Sequence, residues 1–153
     1  VTVPAAAVAL AKRFEGLRLA PYHDPAGFPT IGYGTLLSRE QWADLARWPA
    51  IDEAEAERLL LVEMERAAGA VGRLITAPLL APARAALVDF CYNLGAGALQ
   101  ASTLRARVNR GDPGAVNEFG RWVYAGGRRL PGLVLRRQAE ADLFASPPFG
   151  RSE

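Results

Sequence analysis

Three polar side chains within sixteen residues are spaced for acid–base chemistry: Glu15, Asp24 and Thr30. Glu15 closes a run in which Val3, Ala7, Leu10, Ala11 and Phe14 recur at helical spacing. At a helix C-terminus the unpaired carbonyls disfavour ionisation of a carboxyl, which suits a proton donor. Asp24 opens Asp24-Pro25-Ala26-Gly27, the residue order of a type I turn, so the two acids belong to different elements. Beyond the turn, extended alternation puts Thr30, Gly32 and Gly34 on one face and Ile31 and Tyr33 on the other. One face therefore offers a hydroxyl beside bare backbone. Such a set fits glycoside hydrolysis, where one carboxyl protonates the leaving oxygen and a second activates water from the opposite side of the sugar. Asp24 would polarise that water, Thr30 would hold it, and the glycines leave room for a sugar ring. The chemistry needs neither a metal nor a cofactor.

Each of these residues also has a plain structural reading. Asp before Pro commonly bonds its own backbone, a glutamate at a helix end is commonly solvated, and Thr is an ordinary strand residue. Their joint spacing outweighs the separate readings. Glu15, eight residues, Asp24, five residues, then Thr30, inside the frames Phe14-Glu15-Gly16 and Thr30-Ile31-Gly32-Tyr33-Gly34, resembles the signature of the phage T4-type lysozymes, glycoside hydrolase family 24. The resemblance implies that Glu15 is the acid, that Asp24 and Thr30 place the water, and that Gly34 and Leu36 lie along the substrate. Thr35 departs from the Gly-x-Gly-His continuation common in the family, which removes a possible histidine ion pair.

The likeness extends to Phe90-Cys91-Tyr92-Asn93-Leu94-Gly95 and to Leu130-Pro131-Gly132-Leu133-Val134-Leu135-Arg136-Arg137. By position in these motifs Tyr92 and Asn93 resemble the rear wall of a sugar cleft, and Trp122 is a candidate platform, since aromatic faces pack on sugar C–H surfaces. Arg136 is expected to pair with Glu15 and orient it. Arg137, about 100° away around the helix, is then expected to serve the surface. A plainer reading makes both arginines surface charges, one pairing with Glu140 four residues on.

The elements that must carry these residues follow from the rest of the chain. A helix over residues 3–15 leads into a β-region over 17–35, expected to be the only sheet, with two or three short strands. Ser38 with Gln41 resembles the cap of a short helix over Trp42 and Leu45 that ends before Pro49, and Trp42 and Trp48 read as packing residues. Asp52 and Glu55 start the longest helix, to about Leu74-Ile75, with Ala54, Leu59, Val62, Ala67 and Val71 as its apolar residues. Ala83 to Leu94 reads as a buried helix ended by Gly95 and Gly97. Ser102-Thr103 caps a helix over Leu104 and Val108, and Asp112-Pro113 starts another that runs to Trp122. After a loop at Ala125-Gly126-Gly127, a last helix through Leu133 and Glu140 stops before Pro147, and residues 149–153 are expected to fray.

The 153 residues fit one domain, with a front lobe about 14–50, a connecting helix about 52–75, and a helical lobe about 78–146 packed with the first helix. The expected fold is α+β, mainly α, and lysozyme-like with two lobes. The single cysteine, Cys91, excludes an internal disulfide and reads as a buried thiol; the lone His23 excludes a histidine-rich metal site and reads as loop-capping. A formal charge of +2 and a pI near 9.0 suit an anionic wall but fall short of a nucleic-acid footprint. No apolar run reaches a membrane span and no signal peptide opens the chain, which starts at Val1 rather than Met and so leaves open a targeting segment ahead of it. The family resemblance implies a soluble monomer, without membrane insertion, held in the host cytoplasm until release to the cell wall.

The family resemblance, taken with these features, implies an inverting lysozyme that hydrolyses the β-1,4 bond between N-acetylmuramic acid and N-acetylglucosamine in peptidoglycan, acting as a phage endolysin. A lytic transglycosylase needs the acid without the water-placing pair, so Asp24 and Thr30 argue against it. A non-catalytic wall-binding module would have no need of all three residues.

Overall fold

A computed structural model describes residues 2–147 of the chain. The expected fraying of 149–153 lies outside the described residues. The fold is α+β and mainly helical, with a small antiparallel sheet near the N-terminus. The chain divides into two compact units, Ala11–Glu63 and the described residues before and after it.

Helix α1 (Ala5–Glu15), which enters the first unit at Ala11, ends at Gly16, whose φ of +70° is a backbone state that a side chain disfavours. Three strands follow, β1 (Arg18–His23), β2 (Pro29–Gly32) and β3 (Thr35–Leu36), in the order β1-β2-β3. Tyr22 pairs with Thr30, and Thr30 with Leu36 across the second ladder. From Arg18 to Tyr22 the ladder advances four residues on β1 against two on β2, a bulge that contains Pro21, which has no N–H to donate. Gly32 and Gly34, both with positive φ, close the β2–β3 turn. Gly32 also lies against helix α2 (Glu53–Leu74), where an added Cβ would stand 3.3 Å from Ala56 Cβ.

Two expectations for this unit are corrected. No helix starts at Ser38: the segment is turn, and the helical piece is a 3₁₀ turn over Leu45–Arg47 capped by Asp44, which accepts from Ala46 N at 3.0 Å. The cause is Trp42, whose φ of +59° breaks helical geometry; the residue is 66% exposed rather than packed. The second correction concerns β2, which is buried along its whole length. The open face expected beside Thr30 begins only at half-buried Gly34.

The long helix α2 starts as read, with Glu55 N–H donating to Asp52 Oδ1 at 2.8 Å. Its buried stripe is Ala56, Leu60, Met64, Ala67, Ala68 and Val71, whereas Ala54 and Val62 are exposed. Of the five apolar residues expected to line this helix, Ala67 and Val71 are buried, Leu59 is half-buried, and tertiary packing turned the other two outward.

The second unit holds α3 (Ala81–Leu94), α4 (Ala96–Ala101), α5 (Thr103–Asn109), a 3₁₀ segment (Pro113–Arg121) and α6 (Pro131–Phe144). Gly95 ends α3, but Gly97 sits inside α4. Phe90 and Phe119 meet edge to face at 5.8 Å, and Phe119 meets Phe144 at 5.5 Å, in the core between α3, the 3₁₀ segment and α6. A second sheet corrects the expectation of only one: β4 (Tyr124–Ala125) pairs with β5 (Arg128–Arg129). Gly126 and Gly127 both take positive φ, the geometry of the tight hairpin turn that a Gly-Gly pair favours.

Candidate active site

Glu15 is the last residue of α1, and its carboxylate stands over the β2–β3 turn. A Cβ added to Gly34 would lie 3.0 Å from Glu15 Oε2, so bare backbone at Gly34 makes space for the acid. Asp24 begins the turn between β1 and β2. Its Oδ1 accepts from Ala26 N and Phe28 N, each at 2.9 Å, which is the backbone-bonding role that Asp before Pro suggests. Its other oxygen accepts no hydrogen bond among the described residues, so one carboxylate can build the turn and still present Oδ2 to water. Thr30 is 5% exposed and donates its hydroxyl hydrogen to Phe28 O at 2.9 Å. The Thr30 lone pairs are thereby left to accept.

Tyr22 stands opposite Thr30 on β1. Burial pushes its phenol above the ordinary range, the guanidinium of Arg18, 4.4 Å over the ring, pulls it down, and the charges of both Glu15 and Asp24 raise it. Glu15 and Asp24 therefore act on one side chain of the same unit. The sequence reading passed over Arg18 and Tyr22; their adjacency on one pleated strand was the available signal.

The remaining candidates are less uniform. Leu36 is 45% exposed on β3. In the helical unit Tyr92 and Asn93 are half-buried, and Asn93 Oδ1 accepts from Arg137 Nη2 at 2.6 Å, so that oxygen is engaged within the unit. Trp122 is half-buried with its edge against Phe90 at 5.5 Å, and it lines a cavity of about 260 Å³ with Ser102, Thr103, Glu118 and Arg121. Arg136 is buried and donates to Asp89 twice, Nε to Oδ2 at 2.9 Å and Nη2 to Oδ1 at 2.8 Å.

Arg137 is not a surface charge. It is 1% exposed, with Nε 2.8 Å from Glu140 Oε1, so the contact with Glu140 belongs to Arg137 at three residues' separation. Burial pushes Glu140 up to about 10, a hydrogen bond with the Asp89 carboxyl adds to the rise, and the Arg137 charge opposes it. Burial likewise lowers Arg137. Asp89 escaped the sequence reading although a lone acid in the run Ala83 to Leu94 marks a buried polar contact.

His23 caps a loop, with Nε2 donating to Ala43 O at 2.8 Å. Burial pushes the Cys91 thiol up, away from a nucleophile's state. Among the described residues no cluster of His, Cys, Asp and Glu is placed to hold a metal ion, and no helix is long and apolar enough to cross a membrane.

Known proteins are similar to this chain over most of its length. The family model described as phage lysozyme matches residues 12–140. The SAR-endolysin of Bacteriophage PS119 is 36% identical over 130 residues, covering 84% of this chain and 75% of that protein. The endolysin of Bacillus phage B103 is 36% identical over 145 residues, 94% of this chain but 54% of its own length, so the chain spans about half of that relative. Among solved structures, the muramidase domain of SpmX from Asticaccaulis excentricus superposes with a TM-score of 0.82 at 32% identity, covering 95% of this chain and 99% of that one. With the match running from α1 into α6, this chain belongs to the phage lysozyme family.

Proposed function

We propose that the chain is a peptidoglycan-degrading lysozyme of the endolysin type, cleaving the β-1,4 bond between N-acetylmuramic acid and N-acetylglucosamine by single displacement with inversion. Glu15 protonates the leaving glycosidic oxygen. As that C–O bond breaks, a water on the opposite face of the sugar attacks the anomeric carbon. The water donates one hydrogen to Thr30 Oγ1, whose own hydrogen is committed to Phe28 O, and yields the other to Asp24 Oδ2. What supports this reading is that one compact unit holds all three residues, with Glu15 Oε2 over Gly34 of the β2–β3 turn, Asp24 bonded to Phe28 N just ahead of β2, and Thr30 bonded to the carbonyl of the same Phe28.

The same reading gives Gly34, Leu36, Tyr92, Asn93 and Trp122 to sugar binding and makes Arg136 the residue that orients Glu15. It treats both units as one catalytic domain, because the family match runs through both. The protein acts as a monomer, held in the host cytoplasm until it reaches the wall.

Mass analysis of digested peptidoglycan, with NMR of the fresh reducing ends, tests the proposal. Reducing N-acetylmuramic acid ends that appear first as the α-anomer are expected. Anhydro-sugar ends would instead identify a transglycosylase, β-anomeric ends a retaining enzyme, and absence of new ends a binding module.

A further inference from the structure

One aromatic side chain in the unit of Ala11–Glu63 is held in a costly conformation and left in solvent. Trp42 takes φ +59°, a left-handed state that a bulky residue rarely adopts, and it is 66% exposed. Backbone strain of this kind persists only where surrounding contacts over-determine it, and it gathers at binding sites.

The contacts are specific. Trp42 N–H donates to Gly27 O at 2.7 Å, and Gln41 Nε2 donates to Ala26 O at 2.8 Å. On its other side Ala43 O accepts from His23 Nε2 at 2.8 Å, and the His23 ring meets the indole in a T at 5.2 Å. The indole rests on Gly27, where an added Cβ would fall 2.5 Å from Cε2 and 2.8 Å from both Cδ2 and Cζ2. Gly27, itself at φ +89°, lies in the turn whose amides at Ala26 and Phe28 are held by Asp24 Oδ1. The ring is thus built onto the Asp24 turn, with one face seated on backbone and the other open to water.

We infer that Trp42 is a carbohydrate platform, stacking a pyranose ring of the glycan strand beyond the bond that is cut. This rests on the lysozyme reading of the same unit. A flat, pinned indole is complementary to the C–H face of a sugar, and pinning removes the ordering cost that a free side chain would bear on binding. The setting favours a glycan over a lipid surface. Arg39, Glu40, Gln41 and Asp44, the neighbours of Trp42 in the chain, are exposed and polar, and Arg47 pairs with Glu40 at 2.6 Å, so the segment that carries the indole is charged and polar.

The test compares the parent with Trp42→Gly, Trp42→Asn and Trp42→Phe. Gly and Asn both tolerate the left-handed backbone, so at least one of these ring-less variants is expected to fold. Affinity is measured by calorimetry on soluble, peptide-free glycan strands, with KM on whole peptidoglycan alongside. The two ring-less variants should bind about fivefold more weakly, as expected for loss of one stacked ring. KM should rise in parallel, the thermal midpoint should not fall, and Phe should restore most of the affinity. Glycan affinity equal to the parent's in the ring-less variants would overturn the inference. So would a loss confined to binding of phosphatidylglycerol vesicles, which would make Trp42 a membrane contact. If the parent produces no new reducing ends yet binds strands in a Trp42-dependent way, the lysozyme reading fails and the platform stands.

Discussion

Substituting Gly34 by alanine tests the placement of the acid. The new methyl would lie 3.0 Å from Glu15 Oε2, and ordinary contact begins at 3.4 Å, so the carboxylate must retreat by about 0.4 Å. A misplacement of about 1 Å can cost roughly a hundredfold in rate, or about 2.7 kcal/mol. The proportional share is about 1 kcal/mol, a loss of roughly five- to tenfold in kcat/KM. The φ of +87° at Gly34 adds a backbone cost of about 1–2 kcal/mol to folding. Gly111→Ala is the control, because Gly111 has φ +68° and nothing within 4 Å of an added Cβ. Both variants should lose similar thermal stability, and only Gly34→Ala should lose the additional activity, read as reducing-end release from peptidoglycan at a temperature where both are folded. Equal kcat/KM in the two variants would refute the reasoning that Gly34 makes space for a working Glu15.

Four further outcomes are expected. Glu15→Gln should fold like the parent and lose roughly a hundred- to ten-thousandfold in reducing-end release, since an amide cannot supply the proton; substantial turnover by purified variant would remove Glu15 from the chemistry. Thr35→Val should leave stability equal or raise it by about 1 kcal/mol in urea titration, because Thr35 Oγ1 is buried without a hydrogen-bond partner. Asp89→Ala should cost about 3–5 kcal/mol in the same assay by taking the buried carboxylate from Arg136. Glu140 is raised from 4.5 to about 10, so the folded state keeps a proton that the unfolded chain releases above about 4.5. Its contribution is therefore complete at low pH and lost as pH rises through about 10, and the thermal midpoint of the parent should fall on the alkaline side more steeply than that of Glu140→Gln.

Local chemistry made much of the first unit legible. The end of α1 at Glu15, the Asp24 turn and the Asp52 cap of α2 all arise from residues within a few positions of one another, where turn and capping preferences act. The hairpin at Gly126-Gly127 was equally local; its turn signal was present, but two-residue strands give no alternation to read. Trp42 could not be placed from sequence, because helical spacing around Leu45 was a weaker force than the hydrogen bond from its N–H to Gly27 O, fifteen residues away in the chain.

The sequence by itself determined the identity and spacing of Glu15, Asp24 and Thr30, the first, long and last helices, and the family. Tertiary structure alone decided that Gly34 yields space to the acid and that Arg137 is buried beside Glu140. The physical reason is range. Capping, turns and periodicity depend on neighbours in sequence, whereas the burial of a charge depends on a partner such as Asp89, 47 residues from Arg136, that only the folded chain brings within reach.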